Sequence, residues 1–402
     1  MRRVGFIVAS VLLASCSHGG GSSPLPVTFS GSAAHTAQEQ PLAGTGYKLL
    51  YSFKSGTDAA NPFDGLTELN GNFYGTTAGG GGGSNWGTVF RVSPGGAEHV
   101  LYRFKAGKDA ATPYGGLTEL NGVFFGTTKY GGVHGAGTVF KVTNAGIEHV
   151  VYSFKGGEDG QYPYAALLAL NGELYGTTTS GGGGSGWGVV FKVAPTGIEH
   201  VLYRFQAGND AATPFASLTL LNGKLYGTTE YGGTSGSGTV FQINPNGSGY
   251  RVLYSFKGGS DGQYPLARVL AFKGSLYGTT YQGGVSSGWG VVFKVGTNGI
   301  EHVLYRFRAG DGGAHDGAHP QYAGLRGVNG VLYGTTYQGG ASGAGTVFKV
   351  GPSGGEHIIY SFKGGSDGVN PWATLTYLNG FLYGTTELGG ASNLGTVFRL
   401  PP

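Results

Sequence analysis

Residues 69–77 read Leu69-Asn70-Gly71-Asn72-Phe73-Tyr74-Gly75-Thr76-Thr77. Asn-Gly between two apolar runs is a strong hairpin signal, because both turn positions need positive φ. The stretch predicts one short strand ending at Leu69 and a second over residues 73–77. A glycine-rich segment then leads into Gly87-Thr88-Val89-Phe90-Arg91-Val92, and a tight Pro/Gly turn leads into residues 98–104. Four short strands result, and no helix-period pattern interrupts them.

The unit repeats. The glycine of Tyr-Gly-Thr-Thr (Phe-Gly-Thr-Thr once) falls at Gly75, Gly126, Gly176, Gly227, Gly278, Gly334 and Gly384, with spacings of 51, 50, 51, 51, 56 and 50 residues. The Asn-Gly turn recurs in six units, and Lys273-Gly274 replaces it in the other. Seven four-stranded units of this length predict an all-β, seven-bladed β-propeller. A linear solenoid would use shorter coils and need capping ends. Loop lengths give the phasing. The Pro/Gly turn joins the third and fourth strands of one blade, so the longer loop around Gly107-Lys108-Asp109 crosses to the next blade. The chain then starts on a fourth strand, residues 47–53, and ends on a third, residues 395–400. Pairing of the two should close the ring and remove edges that invite aggregation.

The composition fits this reading. Gly and Pro, 84 and 16 of 402 residues, border on low-complexity usage. Aromatics at 13% and charged residues at 11% instead favour a buried core. The glycines lack the three-residue period of collagen, and six columns of the repeat place 42 of the 84. One cysteine excludes a disulfide framework within the chain.

The Leu-Tyr-Gly-Thr-Thr, Gly-Gly, Gly-Thr-Val-Phe and Leu-Tyr-Ser-Phe series resembles the GloVer tandem repeat of exported bacterial "choice-of-anchor" proteins, over about residues 47–400. The resemblance implies a surface or envelope location with interchangeable anchors. It supplies no catalytic residues to carry over.

Arg2 and Arg3 precede an apolar run over residues 4–14, and small residues lead into Cys16. This is the layout of an export signal, too short to span a bilayer. Leu13-Ala14-Ser15-Cys16 resembles the bacterial lipobox, in which cleavage leaves Cys16 as the lipid-bearing first residue; the alternative is an ordinary signal with an incidental cysteine. Residues 1–15 are expected to be the lipoprotein signal peptide. Residues 16–46 are expected to be the lipidated cysteine with a flexible Gly/Ser-rich tether, of roughly 30 Å mean reach. Residues 47–402 form the propeller. The expected setting is the bacterial cell envelope, as an outer-membrane lipoprotein facing the periplasm or the surface. Loss of Arg2 and Arg3 would lower the formal charge from +4 to +2, so no nucleic-acid partner is expected.

Alternating strands put the tight turns on one face and the glycine-rich and inter-blade loops on the other, around the channel mouth. Function concentrates on long loops over a rigid scaffold. On that face Trp86, Trp187 and Trp289 recur in odd units, while Tyr130, Tyr231, Tyr281 and Tyr337 sit near the loop starts. These aromatics could stack on sugar rings, or fold back over blade edges. One aspartate per inter-blade loop (Asp58, Asp109, Asp159, Asp210, Asp261, Asp311 or Asp316, and Asp367) reads as a turn builder rather than a cation ring. The Glu-His pairs such as Glu98-His99 and Glu148-His149 read as cross-strand partners. The 56-residue spacing marks an insertion with Asp311, His315, Asp316 and His319, which could ligate zinc or another divalent ion or form a polar loop.

The function expected is a lipid-anchored, non-catalytic binding module, monomeric and free of cofactors, that takes carbohydrate or an envelope protein through its long-loop face. The alternatives are a structural or assembly protein of the envelope, or a hydrolase or lyase. Catalysis needs unlike groups converging in one pocket, whereas nearly every polar residue is copied around the ring. A non-repeating acid pair inside the channel would point to an enzyme.

Overall fold

Asn70 and Gly71 take φ of 51° and 75°, and across them Thr67–Leu69 pairs with Asn72–Thr77. Every blade turns on this corner, including the one in which Lys273, at φ 47°, stands for asparagine. The computed structural model describes residues 46–402 apart from residues 55, 84, 185, 286–287 and 310–315. The expected signal peptide, Cys16 and nearly all of the tether therefore lie outside the described residues.

Asn72–Thr77 pairs on its far side with Thr88–Val92, which pairs with Glu98–Arg103. Seven antiparallel sheets follow this order. The short first strands of neighbouring blades approach one another and surround the channel. Lys48–Ser52 pairs with Thr396–Leu400, Lys48 opposite Arg399 and Ser52 opposite Thr396. The molecule is a seven-bladed β-propeller closed by its N-terminal strand, on the expected phasing.

The core lies between blades. Phe53, Leu66, Phe73, Phe90 and Val92 pack with Tyr383 and Val397 of the last blade, and each junction repeats the pattern. A Cβ on Gly75 would stand 2.7 Å from Phe90 Cζ, so the glycine of Tyr-Gly-Thr-Thr is fixed by the ring packed over it.

Hydroxyls fasten blade to blade. Thr76 Oγ1 donates to the carbonyl of Gly115 at 2.8 Å, and Thr127, Thr177 and Thr228 donate likewise to Ala165, Ala216 and Ala267. A second set runs along the innermost strands: Thr67, Thr118, Thr219 and Thr376 reach the carbonyls of Leu117, Leu167, Val269 and Leu66 at 2.5–2.6 Å.

The loop aspartates build the crossovers. A bulge in the outermost pair lets Tyr102 donate to Asp109 Oδ2 at 3.0 Å, while the backbone N–H of Lys105 donates to the same oxygen. All seven blades show this Tyr–Asp bond, and at the inserted loop Asp316 supplies it, to Tyr305.

Candidate functional site at the channel mouth

Each inter-blade loop ends on a residue held at positive φ before a proline: Asn61, Thr112, Tyr162, Thr213, Tyr264, His319 and Asn370, all at φ 55–58°. This region is costly for residues with a Cβ and unusual before proline. Two bonds hold it. The N–H of Thr112 donates to the carbonyl of Trp86, and the carbonyl of Thr112 accepts from the N–H of Lys129. The first bond presents the post-proline side chain to the channel. The second fixes the residue that follows Tyr-Gly-Thr-Thr just above it.

The post-proline positions give Phe63, Tyr114, Tyr164, Phe215, Leu266 and Trp372; in the sixth blade an extra residue, Gln321, shifts the role to Tyr322. Six aromatic rings form a continuous floor. Tyr114 stacks on Tyr164 with centroids 4.3 Å apart, Tyr164 on Tyr322 at 5.8 Å, and Tyr322 on Trp372 at 4.7 Å. Phe63 closes the circle edge-on to Trp372 and Tyr114, and Phe215 meets Tyr164 and Tyr322. Each ring keeps part of its surface open.

Above the floor the repeat stops copying itself. The position after Tyr-Gly-Thr-Thr holds Ala78, Lys129, Thr179, Glu230, Tyr281, Tyr337 and Glu387. Lys129 Nζ lies over the rings of Tyr114, Tyr130 and Tyr164 at 5.0–5.7 Å. Burial raises both the Glu230 and Glu387 carboxyls to about 7, and Glu387 Oε2 is buried without a hydrogen-bond partner. These two acids come from blades three apart. They are the non-repeating acids that the column reading of the sequence passed over; comparing the residues after each Thr-Thr pair would have found them.

The expected ligand-binding aromatics divide into two groups. Tyr281 and Tyr337 belong to the mouth: Tyr337 packs edge-on to Trp372, while Tyr281 and Trp289 pack on His319. Trp86, Trp187, Tyr130 and Tyr231 are exposed on the surrounding loops. Trp86 and Tyr130 share a cleft of about 610 Å³ with the Gly107–Lys108 loop.

Of the expected metal ligands, Asp311 and His315 lie outside the described residues. Asp316 spends its oxygens on Tyr305 Oη and the N–H groups of Arg308 and Gly317. His319 Nδ1 lies 3.0 Å from the carbonyl of Tyr281. Among the described residues no group of three or more His, Cys, Asp or Glu is placed to hold a metal ion.

In the Glu-His pairs His149 lies opposite Lys141, as a cross-strand residue should, and is exposed. Glu148 turns inward beside Tyr102 and Asp109, and burial, reinforced by the Asp109 charge, raises its carboxyl to about 7.

No curated protein matches the chain in sequence. Solved structures share its fold at low identity. A europium-containing methanol dehydrogenase matches with a TM-score of 0.55 at 11% identity, over 90% of this chain and 94% of that one. An oligogalacturonate lyase in complex with manganese matches with a TM-score of 0.54 at 11% identity, over 88% and 96%. A puromycin-hydrolyzing peptidase of Mycobacterium tuberculosis gives 0.52 at 15%, over 87% of this chain and 53% of that one. Such chemically unlike neighbours speak to fold alone. The sequence itself matches the Gloeobacter/Verrucomicrobia repeat over residues 36–186 and 178–398. With its seven copies of one blade, the chain belongs to the Gloeobacter/Verrucomicrobia repeat family.

Proposed function

We propose that the protein is a non-catalytic binding module that takes carbohydrate at the channel mouth, anchored to the bacterial envelope through a lipid on Cys16. The observation that carries the reading is the floor of six partly open rings beneath a rim of Lys129, Glu230 and Glu387. Sugar rings offer flat C–H faces that pack on aromatic surfaces, and hydroxyls that bond to charged rims. The exposed Trp86 and Tyr130 cleft offers a longer chain a further contact.

A second reading rests on Glu230 and Glu387, two acids flanking one pocket, as in enzymes that protonate and deprotonate a substrate. Acid–base division usually sets the two pKa values apart, and here burial raises both alike. Binding without turnover is therefore preferred.

The test is titration of neutral oligosaccharides against residues 41–402, followed by tryptophan fluorescence and calorimetry, with chromatography for cleavage products. Saturable binding without products is expected. Products that vanish in Glu387→Gln would establish the enzyme instead, and silence across the whole panel would end the carbohydrate reading.

A further inference from the structure

Beneath the aromatic floor the channel widens into a cavity of about 290 Å³, lined from Asp64 and Ser217 past Arg268, Arg326 and Thr374 to Glu68 and Tyr377. Here too the repeat departs from itself. The position of Arg268 is otherwise Gly65, Gly116, Ala166, Ser217, Gly324 and Thr374. Arg326 stands in the innermost-strand column where Thr67, Thr118, Thr219 and Thr376 bond to the next blade. At Arg326 the sixth blade forgoes that bond and places a guanidinium in the channel.

Two cations line one cavity, and among the described residues neither has a hydrogen bond or an ion pair to the protein. Asp64 does not neutralise them at contact. Its Oδ1 accepts from the N–H of Gly65 at 2.6 Å and its Oδ2 from the N–H of Gly116 at 2.7 Å. Glu68, at the open end, accepts from the N–H of Gly71. Arg326 is held below its usual pKa by burial and then by the charge of Arg268, a repulsion that an anion would relieve. The surroundings suit one. Thr374 Oγ1 accepts from the N–H of Gly324 at 2.9 Å, which leaves its hydroxyl hydrogen to donate. Gly324 lacks the Cβ that would stand 2.9 Å from Arg268 Cγ, so the arginine can lie across the neighbouring blade.

We propose that Arg268 and Arg326 form a binding site for a small oxyanion, a carboxylate or phosphate group, entering the channel from the tight-turn face. The guanidinium fork matches two oxygens of either group. The site adjoins the underside of the aromatic floor, where Asp64, Ser217, Arg268 and Thr374 line both spaces, and it stands whether or not the mouth takes sugar.

Calorimetry and thermal shift with inorganic phosphate and with glutarate, at ionic strength matched by chloride, test the proposal on the wild-type protein, Arg268→Gln and Arg326→Thr. At least one anion should bind the wild type and raise its melting temperature, and the tighter of the two names the class. Each substitution should weaken that binding about tenfold or more. Arg326→Thr restores the residue that fastens four other blades, so its unliganded stability should hold even if Arg268→Gln folds poorly. If neither anion binds the wild type, or if Arg326→Thr binds as tightly, the proposal fails.

Discussion

Tyr250 donates from its hydroxyl to Asp210 Oδ1 at 2.5 Å and stacks on Tyr203 with ring centroids 3.5 Å apart. It occupies the place held in five other blades by Glu98, Glu148, Glu199, Glu301 and Glu356. Tyr47 fills the same place at the closing seam, stacked on Tyr360 at 4.1 Å. Burial, then the neighbouring aspartate's charge, raises four of these glutamates to about 7, and the fifth, Glu356, to about 8. A tyrosine can stand in for these acids because a protonated carboxyl and a phenol both offer the adjacent Asp–Tyr pair an O–H.

Stability should therefore fall as pH rises. A carboxyl whose pKa is higher folded than unfolded makes the native state bind more protons between the two values. The loss should begin near the unfolded value of 4.5 and level off above about 8. Melting temperatures at pH 5, 6, 7 and 8 check this. Glu148→Gln should raise the melting temperature at pH 8 and change it little at pH 5.

The sixth blade's extra residue leaves a local mark. Thr228 Oγ1 bonds to the carbonyl of Ala267 at 2.9 Å, whereas Thr279, its equivalent one blade on, is buried with its hydroxyl unpartnered. The extra residue Gln321 falls in the stretch that faces Thr279, between Pro320 and the counterpart of Ala267, Ala323. Thr228→Val should cost about 1 kcal/mol, and Thr279→Val should be neutral or stabilising. Denaturant unfolding of the two variants side by side decides it; equal costs would contradict the assignment.

Removing residues 46–52 should uncover Thr396–Leu400 as a bare edge. The expected result is a shift of the truncated chain to aggregates relative to the wild type in size-exclusion chromatography with light scattering. A truncated chain that stays monomeric with the wild-type melting temperature would show that closure contributes little.

The two tryptophan environments should separate in binding. Trp372, in the floor, should carry the response to sugar: Trp372→Ala should weaken affinity about tenfold. Trp86→Ala, on the outer loops, should change affinity by less than about threefold. A reversed order would move the site to the cleft between the first two blades.

What recurs in this chain could be read from its letters; what does not recur could not. The turn at Asn70-Gly71, the count of blades and the seam between residues 48 and 399 follow from local chemistry repeated seven times. The floor and the anion cavity are made by the same columns where copying lapses, at Tyr164, Arg268, Arg326 and Glu387, and periodicity averages such positions away. Glu148 escaped for another reason. A bulge between the pairs Val139–Tyr152 and Phe140–Val150 decides which side chains meet the neighbouring blade, and no residue type announces it.

A Cβ on Gly46 would stand 2.8 Å from the Pro401 ring, so the two ends of the ring lie side by side at the start of the outermost strand. That point is on the perimeter, at the tight-turn face. The aromatic mouth lies on the face away from this seam. The arginine cavity opens on the near side. The two ends of the channel thus differ in chemistry and in their side relative to the seam: ring faces on the far side, guanidinium groups on the near one.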